Sequence, residues 1–455
     1  MSQSSISSLP ISENQSRFCQ LAEDVLVYAK QLGASDAAVE IAENQGLSVA
    51  VRHQEVETVE QTRDRSLSVT VFAGNKRGSA STSDFSPKAI EDTVAAAWHI
   101  ARYTAEDPMA GLPDPEDLAL DYPDLSLFTP WQIDAGLAAR LAVRAERAAL
   151  QASPLITNSE GASVDTNVGH FVMANSHGFL GGYPYSRYSI SATPIAENDQ
   201  GMQRDYWYTV ARKPRLLDTP ESVGRIAAAR TVARLGAKRL KTGKYPVLFD
   251  ASLAAGLLGS FVRAASGGAL YRKTSFLLDQ LGKAVFAPHI QIVERPHVVA
   301  GLGSAPFDSE GVKTTDRVIV DQGELQGYFL SSYTARKLGM KTTGNAGGAH
   351  NLRLLSSYTQ AQDDLAAMLK KMGTGLYVTE LIGQGVNYVT GDYSRGAFGY
   401  WVENGEIQHA VEEITIAGNL AQMYQQVVAV GADELIRGGK QTGSILIEQM
   451  AVAGN

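Results

Sequence analysis

Residues 245–275 read YPVLFDASLAAGLLGSFVRAASGGALYRKTS, a strand-then-helix pattern that opens the second half of the chain. YPVLFD (245–250) is a strand candidate. Apolar side chains then recur at Leu257, Phe261 and Ala265, with Leu258 and Val262 beside them. That spacing predicts a helix over 252–266, with Gly267–Gly268 expected to end it. A strand feeding a short helix is a common way to present catalytic side chains. Yet this helix carries no His, Asp, Glu or Cys.

Downstream the text is mostly strands: HIQIVE (289–294), RVIVDQGELQGYFL (317–330), GLYVTELIG (375–383), GAFGYWVENGEIQHA (396–410) and SILIEQMAV (444–452). Gln322–Gly323 and Asn404–Gly405 fit hairpin turns, and short helices are expected at about 361–372 and 419–430. Upstream, a helix is predicted over about 15–32, with Ser12 and Gln15 spaced as a capping box. AVEIA (38–42) and LSVAVR (47–52), punctuated by Gly46, and LSVTVF (67–72) read as strands. Helices follow from Ser86–Pro87, from Thr129–Pro130 to about 151, and from Thr219–Pro220 to about Leu235–Gly236. Residues 155–213 read as several strands separated by turns.

Strands clustered apart from helices suggest an α+β fold. The expected organisation is an α/β-type sandwich region over 1–238, then a β-rich domain over 239–455 with the short helix after its first strand. The proline- and acid-rich segment 104–124 marks a connector and a possible sub-boundary.

At 455 residues and 44% hydrophobic, the chain is long enough for two or three domains. No apolar run approaches the roughly 18–20 residues that a membrane span requires. The lone cysteine, Cys19, excludes an internal disulfide and a cysteine-rich metal cluster. It is expected as a structural thiol on the apolar side of the first helix. The opening MSQSSISSLPISENQ has no export-signal pattern, so a cytoplasmic location is expected. A net charge of −8 argues against general nucleic-acid binding.

None of the eight histidines (53, 99, 170, 177, 289, 297, 350, 409) has the i, i+3 or i, i+4 spacing of a helical zinc site. No G-x-S-x-G elbow occurs. GQGVNY (383–388) lacks the third glycine of a dinucleotide loop, and RGGKQT (437–442) lacks the first glycine of a phosphate loop. The basic run Arg225, Arg230, Arg234, Lys238, Arg239, Lys241, Lys244 reads as a solvated helix face, with a phosphate or acidic partner as the alternative. The glycine-rich TTGNAGGAHN (342–351) and 383–399 suit either tight turns or a groove where an extended peptide pairs with a strand. His350 and Asn351 are the polar candidates to face that groove.

The stretches GSAPFDSEGVKTTDRVIVDQGELQGYFLSSYTARKLGMKTTGNAGG (303–348), ENGEI (403–407) and GSILIEQMAVAGN (443–455) resemble the TldD/PmbA family, and within it the PmbA branch, also called TldE. The likeness extends over nearly the whole chain. It implies a subunit of a cytoplasmic TldD–TldE zinc metalloprotease that degrades unfolded peptides and matures modified ones. The TldD branch carries H-E-x-x-x-H on a helix, followed by R-K-x-T-S. Setting Arg272–Lys273–Thr274–Ser275 on that run places the two histidines at Gly259 and Ala264, and the glutamate at Ser260. The TldD-type cysteine near the C-terminus falls at about Thr442.

The resemblance therefore implies a non-catalytic chain with no cofactor of its own, zinc residing in a TldD-type partner. In isolation a homodimer through the same surface is possible. Two alternatives remain open: an independent peptidase with an unrecognised site, and a modulator of DNA gyrase acting by binding, for which the basic 225–244 segment is the support.

Overall fold

The computed structural model describes residues 11–454. The first helix, α1 (Ile11–Gln31), already runs through Ser12, so the expected Ser12 cap is not its start. Phe18, Ala22, Val25 and Ala29 form its buried stripe, and Cys19 lies half-buried at the border of that stripe.

Two expected strands are one. β1 (Asp36–Arg52) passes straight through Gly46 and pairs with β2 (Glu55–Ala73) on one side. Gly46 is not a turn: a Cβ there would come within 2.7 Å of Thr62 Oγ1 on β2, so the glycine answers a close approach inside the sheet. The turn between the strands falls at His53–Gln54, both at positive φ. Its backbone N–H groups donate to the two carboxylate oxygens of fully buried Glu146 at 3.0 and 2.6 Å.

β3 (Lys76–Thr82) extends the sheet, and α2 (Pro87–Tyr103) follows with Ser86 as its N-cap. The helix expected from Thr129 begins later, as α3 (Ala135–Leu150), because Asp134 supplies the cap to Leu137 N. The residues from 155 onward are several strands separated by turns, as expected, the first of them much longer than the rest. They form one 20-residue strand, β4 (Ile156–Asn175), then β5 (Leu180–Gly181), β6 (Pro184–Asn198), β7 (Gly201–Arg204) and β8 (Trp207–Ala211). α4 (Pro220–Ala233) closes this half.

The eight-stranded sheet runs β3-β2-β1-β4-β6-β7, with β5 on β4 and β8 on β6. Odd-numbered β1 residues face the helices along the whole strand. Val39 and Ile41 lie under α1 and α2, whereas Leu47, Val49 and Val51 lie under α3 and α4. Four helices thus cover one face, giving the two-layer α/β sandwich. On the other face Phe171 packs with Phe179, Tyr183 and Phe307, and the 112–127 connector fills the seam: Leu118 is buried there, and Ala119 N donates to Gly311 O at 2.9 Å.

The second half opens with β9 (Gly243–Phe249), α5 (Ala251–Ala264) and α6 (Gly267–Tyr271). Gly267–Gly268 starts α6 and does not end α5. Gly267 is glycine because a Cβ would lie 2.3 Å from Thr334 Oγ1. A five-stranded sheet follows in the order β12-β11-β10-β13-β18. It contains β10 (Ile290–Glu294), β11 (Arg317–Asp321), β12 (Glu324–Leu325), β13 (Leu352–Ser356) and β18 (Lys440–Gln441), with α7 (Ser332–Leu338) beside it.

β14 (Gly375–Ile382), β15 (Asp392–Glu403), β16 (Glu406–Asn419) and β19 (Ile445–Ala453) close with β9 into a barrel, because β16 pairs with both β15 and β19. α8 (Leu365–Met372) precedes β14. The helix expected at 419–430 is split into α9 (Leu420–Gln425) and strand β17 (Val427–Val430). The Asn404–Gly405 turn has positive φ at both residues, which suits the twist of a two-residue hairpin.

Candidate functional site

Helix α5 is capped by Asp250, whose Oδ1 accepts from Ser252 N at 2.9 Å and from the Ser252 hydroxyl. Oδ2 takes the Tyr377 hydroxyl of the neighbouring strand. Ala254, Leu257, Leu258, Phe261, Ala264 and Ala265 place the apolar face of α5 in the largest core. There the Phe261 ring meets Phe286, Phe329 and Tyr424 edge-on at centroid distances of 5.3, 6.3 and 6.2 Å. After α6 the Arg272–Ser275 run turns back, and the Ser275 hydroxyl donates to Ala264 O at 2.6 Å.

The three motif positions offer no ligand set. Ala264 is wholly buried among these apolar side chains. Ser260 is 9% exposed, and its hydroxyl donates back along the helix to Gly256 O at 3.2 Å. Gly259 faces β18, where a Cβ would stand 3.7 Å from both Cδ and Cε of Lys440. Thr442 is also completely buried, its hydroxyl donating to Gly443 O at 3.1 Å. A methyl, a backbone-bonded hydroxyl and a bare Cα beside a lysine stem do not fit zinc, which takes imidazole, thiolate or carboxylate. Among the described residues no group of three or more His, Cys, Asp or Glu is gathered closely enough to hold a metal ion.

His350 and Asn351 are both buried and bonded to neighbouring loops. His350 N donates to Glu294 Oε1 at 2.7 Å, and its ring lies 3.4 Å from the same oxygen. Glu294 is 1% exposed and paired with Arg317 at 3.1 Å, and it also accepts from Asn345 Nδ2 at 2.8 Å. Burial pushes the Glu294 carboxyl up, but the His350 and Arg317 contacts outweigh it and hold it below its ordinary value. Asn351, at φ 37°, accepts from Gly303 N at 2.9 Å and donates to Arg295 O and Ser304 Oγ at 2.9 and 2.6 Å. Both residues brace the loops behind β18.

The basic 225–244 run is only partly a solvated face. Arg230 reaches Asp205 at 3.1 Å and lies over Trp207, 5.3 Å from its ring centroid. Arg234 pairs with Glu380 at 2.7 Å and sits 3.7 Å from the Phe398 ring centroid. Arg234 therefore reaches across to the second half of the chain, whereas Arg230 is held by groups of the first half. Of the basic residues behind the gyrase-binding alternative, Arg230 and Arg234 are thus committed internally, while Arg225, Lys241 and Lys244 are exposed.

The sequence pattern did not single out the loop 435–440. RGGK failed as a phosphate loop, yet the fold brings it against the first turn of α5. There Arg437, Gly438, Gly439 and Lys440 line a cavity of about 300 Å³ with Tyr208, Ser252 and Gly256. Only a tertiary contact could have revealed this, because β18 reaches α5 through its pairing with β13.

Models of the PmbA/TldA metallopeptidase family match three parts of the chain: domain 1 over 37–101, the central domain over 128–235 and the C-terminal domain over 242–454. Metalloprotease PmbA of Escherichia coli is 51% identical over 423 residues, which is 93% of either chain. A Metalloprotease PmbA homolog of Haemophilus influenzae is 49% identical over 94% of either chain. Among solved structures, a candidate modulator of DNA gyrase from Bacteroides thetaiotaomicron superposes with TM-score 0.90 at 27% identity, covering 96% of this chain and 98% of that one. TldE of Thermococcus kodakarensis shares the fold with TM-score 0.83 at 18% identity, over 95% and 99% of the two chains. The chain belongs to the PmbA branch of the PmbA/TldD metallopeptidase family.

Proposed function

We propose that this chain is the non-catalytic subunit of a two-chain zinc metallopeptidase that acts on unfolded peptides in the cytoplasm, its mate being a TldD-type subunit. The observation that carries the reading is the environment of α5. The motif helix is retained with its cap and its packing, but positions 259, 260 and 264 hold Gly, a backbone-bonded Ser and a core Ala. The relatives named metalloprotease support peptide cleavage as the activity of the assembly. A hydrolytic zinc site needs ligands and a base for the bound water, and the TldD-type mate supplies them. This chain's part is to complete the enclosure around the substrate and to hold extended backbone. No helix among the described residues is long and apolar enough to cross a membrane.

The test is zinc counting and peptide cleavage with this chain alone, a TldD-type chain alone, and the two mixed. One zinc per pair, located in the TldD-type chain, with cleavage of an unstructured peptide by the mixture, is expected. Stoichiometric zinc in this chain by itself would overturn the reading.

A further inference from the structure

The cavity beside α5 carries two cations that no carboxylate among the described residues meets in a direct ion pair. From this we infer a binding site for the free α-carboxylate of a peptide, held between Lys440 and Arg437. Lys440 is half-buried, its stem running past Gly259, and its ammonium has no hydrogen-bond or ion-pair partner among the described residues. The Arg437 guanidinium is clasped by Trp207 and Tyr208, 3.9 Å from each ring centroid, and donates to Tyr208 O at 2.8 Å. Among the described residues no carboxylate pairs with it directly, and Asp250 acts on it only through space.

The nearby acids are spent elsewhere. Asp433 accepts from Ser444 N and its hydroxyl at 2.8 and 3.1 Å, and Glu434 pairs with Arg353 at 2.6 Å. Asp250 is shared between Ser252 and Tyr377. In a chain of net charge −8, two cations without a direct ion pair on the wall of one cavity are a local reversal of sign. A carboxylate entering there gains charge-assisted hydrogen bonds from an ammonium and a fixed planar fork.

Geometry favours a peptide as the carrier of that carboxylate. Among the described residues β18 pairs with β13 alone and is the end strand of its sheet, so the backbone of Lys440–Gln441 is the edge beside which an extended peptide would align. The cavity is about 300 Å³, and a Cβ placed on Gly438 in its wall would meet nothing within 4 Å. The choice of a peptide over another carboxylate rests on the peptidase-subunit reading. The anion site itself does not.

The experiment measures fluorescence anisotropy of an N-terminally labelled, unstructured decapeptide on the full chain at low salt. The free acid is compared with its C-terminal amide. Lys440→Met keeps the stem over Gly259 and removes only the charge, and Arg437→Gln is the second variant. The free acid is expected to bind at least about tenfold more tightly than the amide, the size of one charge-assisted contact. Lys440→Met, with an unchanged urea midpoint, loses that preference. Equal binding of acid and amide to the unaltered chain, or a preference that survives in both variants, overturns the proposal.

An N-acetyl dipeptide acid is expected to displace the probe better than inorganic phosphate. The opposite order reassigns the site to phosphate and overturns the peptide assignment. Mass spectrometry of the recovered probe separates the two readings. Cleavage by the chain alone contradicts the non-catalytic role and leaves the acid–amide comparison intact.

Discussion

Replacing Ala264 by histidine tests whether α5 is a vacant catalytic helix or a packing element. Ala264 is 0% exposed, one helical turn from Phe261, and its carbonyl is fastened by Ser275 at 2.6 Å. An imidazole in place of the methyl overfills this core, at a cost of about 1–3 kcal/mol. A buried ring N–H without an acceptor adds about 1–3 kcal/mol. The loss of helix propensity is a few tenths more. The expected destabilisation is about 4 kcal/mol, a large share of the roughly 5–15 kcal/mol that holds a domain together.

At Gly259 the Cβ of the same residue would stand 3.7 Å from the flexible Lys440 stem, and the change should shift stability by less than about 1 kcal/mol. Urea unfolding of the full-length variants, read as midpoint shifts at constant slope, gives both numbers. The packing role of α5 is refuted if Ala264→His unfolds within about 0.5 kcal/mol of the unaltered chain. It is refuted equally if the Gly259→His, Ala264→His pair takes up one zinc per chain.

Further consequences are checked in the same way. Gly259→Ala should stabilise the chain by up to about 1 kcal/mol, because a mid-helix glycine is replaced where space exists; a lower urea midpoint would contradict this. Glu294→Gln leaves Arg317 buried beside a neutral group and should cost about 3 kcal/mol or more in the same measurement. Since the folded Glu294 carboxyl is held below its ordinary 4.5, its stabilisation is present above that pH. It is lost as pH falls through the depressed value, so acid unfolding of Glu294→Gln should be shallower. Asp308 has the opposite sign: burial raises it from 3.8 to about 6, although three backbone N–H groups favour its anion. Its contribution is complete below 3.8 and disappears as pH rises through 6, so Asp308→Asn should flatten the stability–pH slope over that window.

What the sequence disclosed was local. The 3.6-residue spacing of Leu257, Phe261 and Ala265 gave the helix, and Asn404–Gly405 gave its hairpin. Gly46 misled because its reason lies across the strand pair, at Thr62. His350 and Asn351 looked available beside a glycine run, but Glu294, Arg295 and Ser304 come from a distant segment to satisfy them. Arg234 looked like part of a solvated face for a similar reason: Glu380 and Phe398 lie on strands of the other half. The degenerate motif was legible only through family likeness, since an absence of histidines has no periodicity. The cavity at Lys440 was not legible at all, because it exists only once β18 is laid against α5.

The most direct measurement is cleavage of an unstructured peptide by this chain mixed with a TldD-type partner whose motif glutamate has been changed to glutamine. The proposed division of labour predicts that this mixture is inactive, while the same chain with the unaltered partner cleaves. Chelator-sensitive cleavage by the mixture with the altered partner would mean that this chain carries a catalytic site of its own, contradicting its role as the non-catalytic subunit.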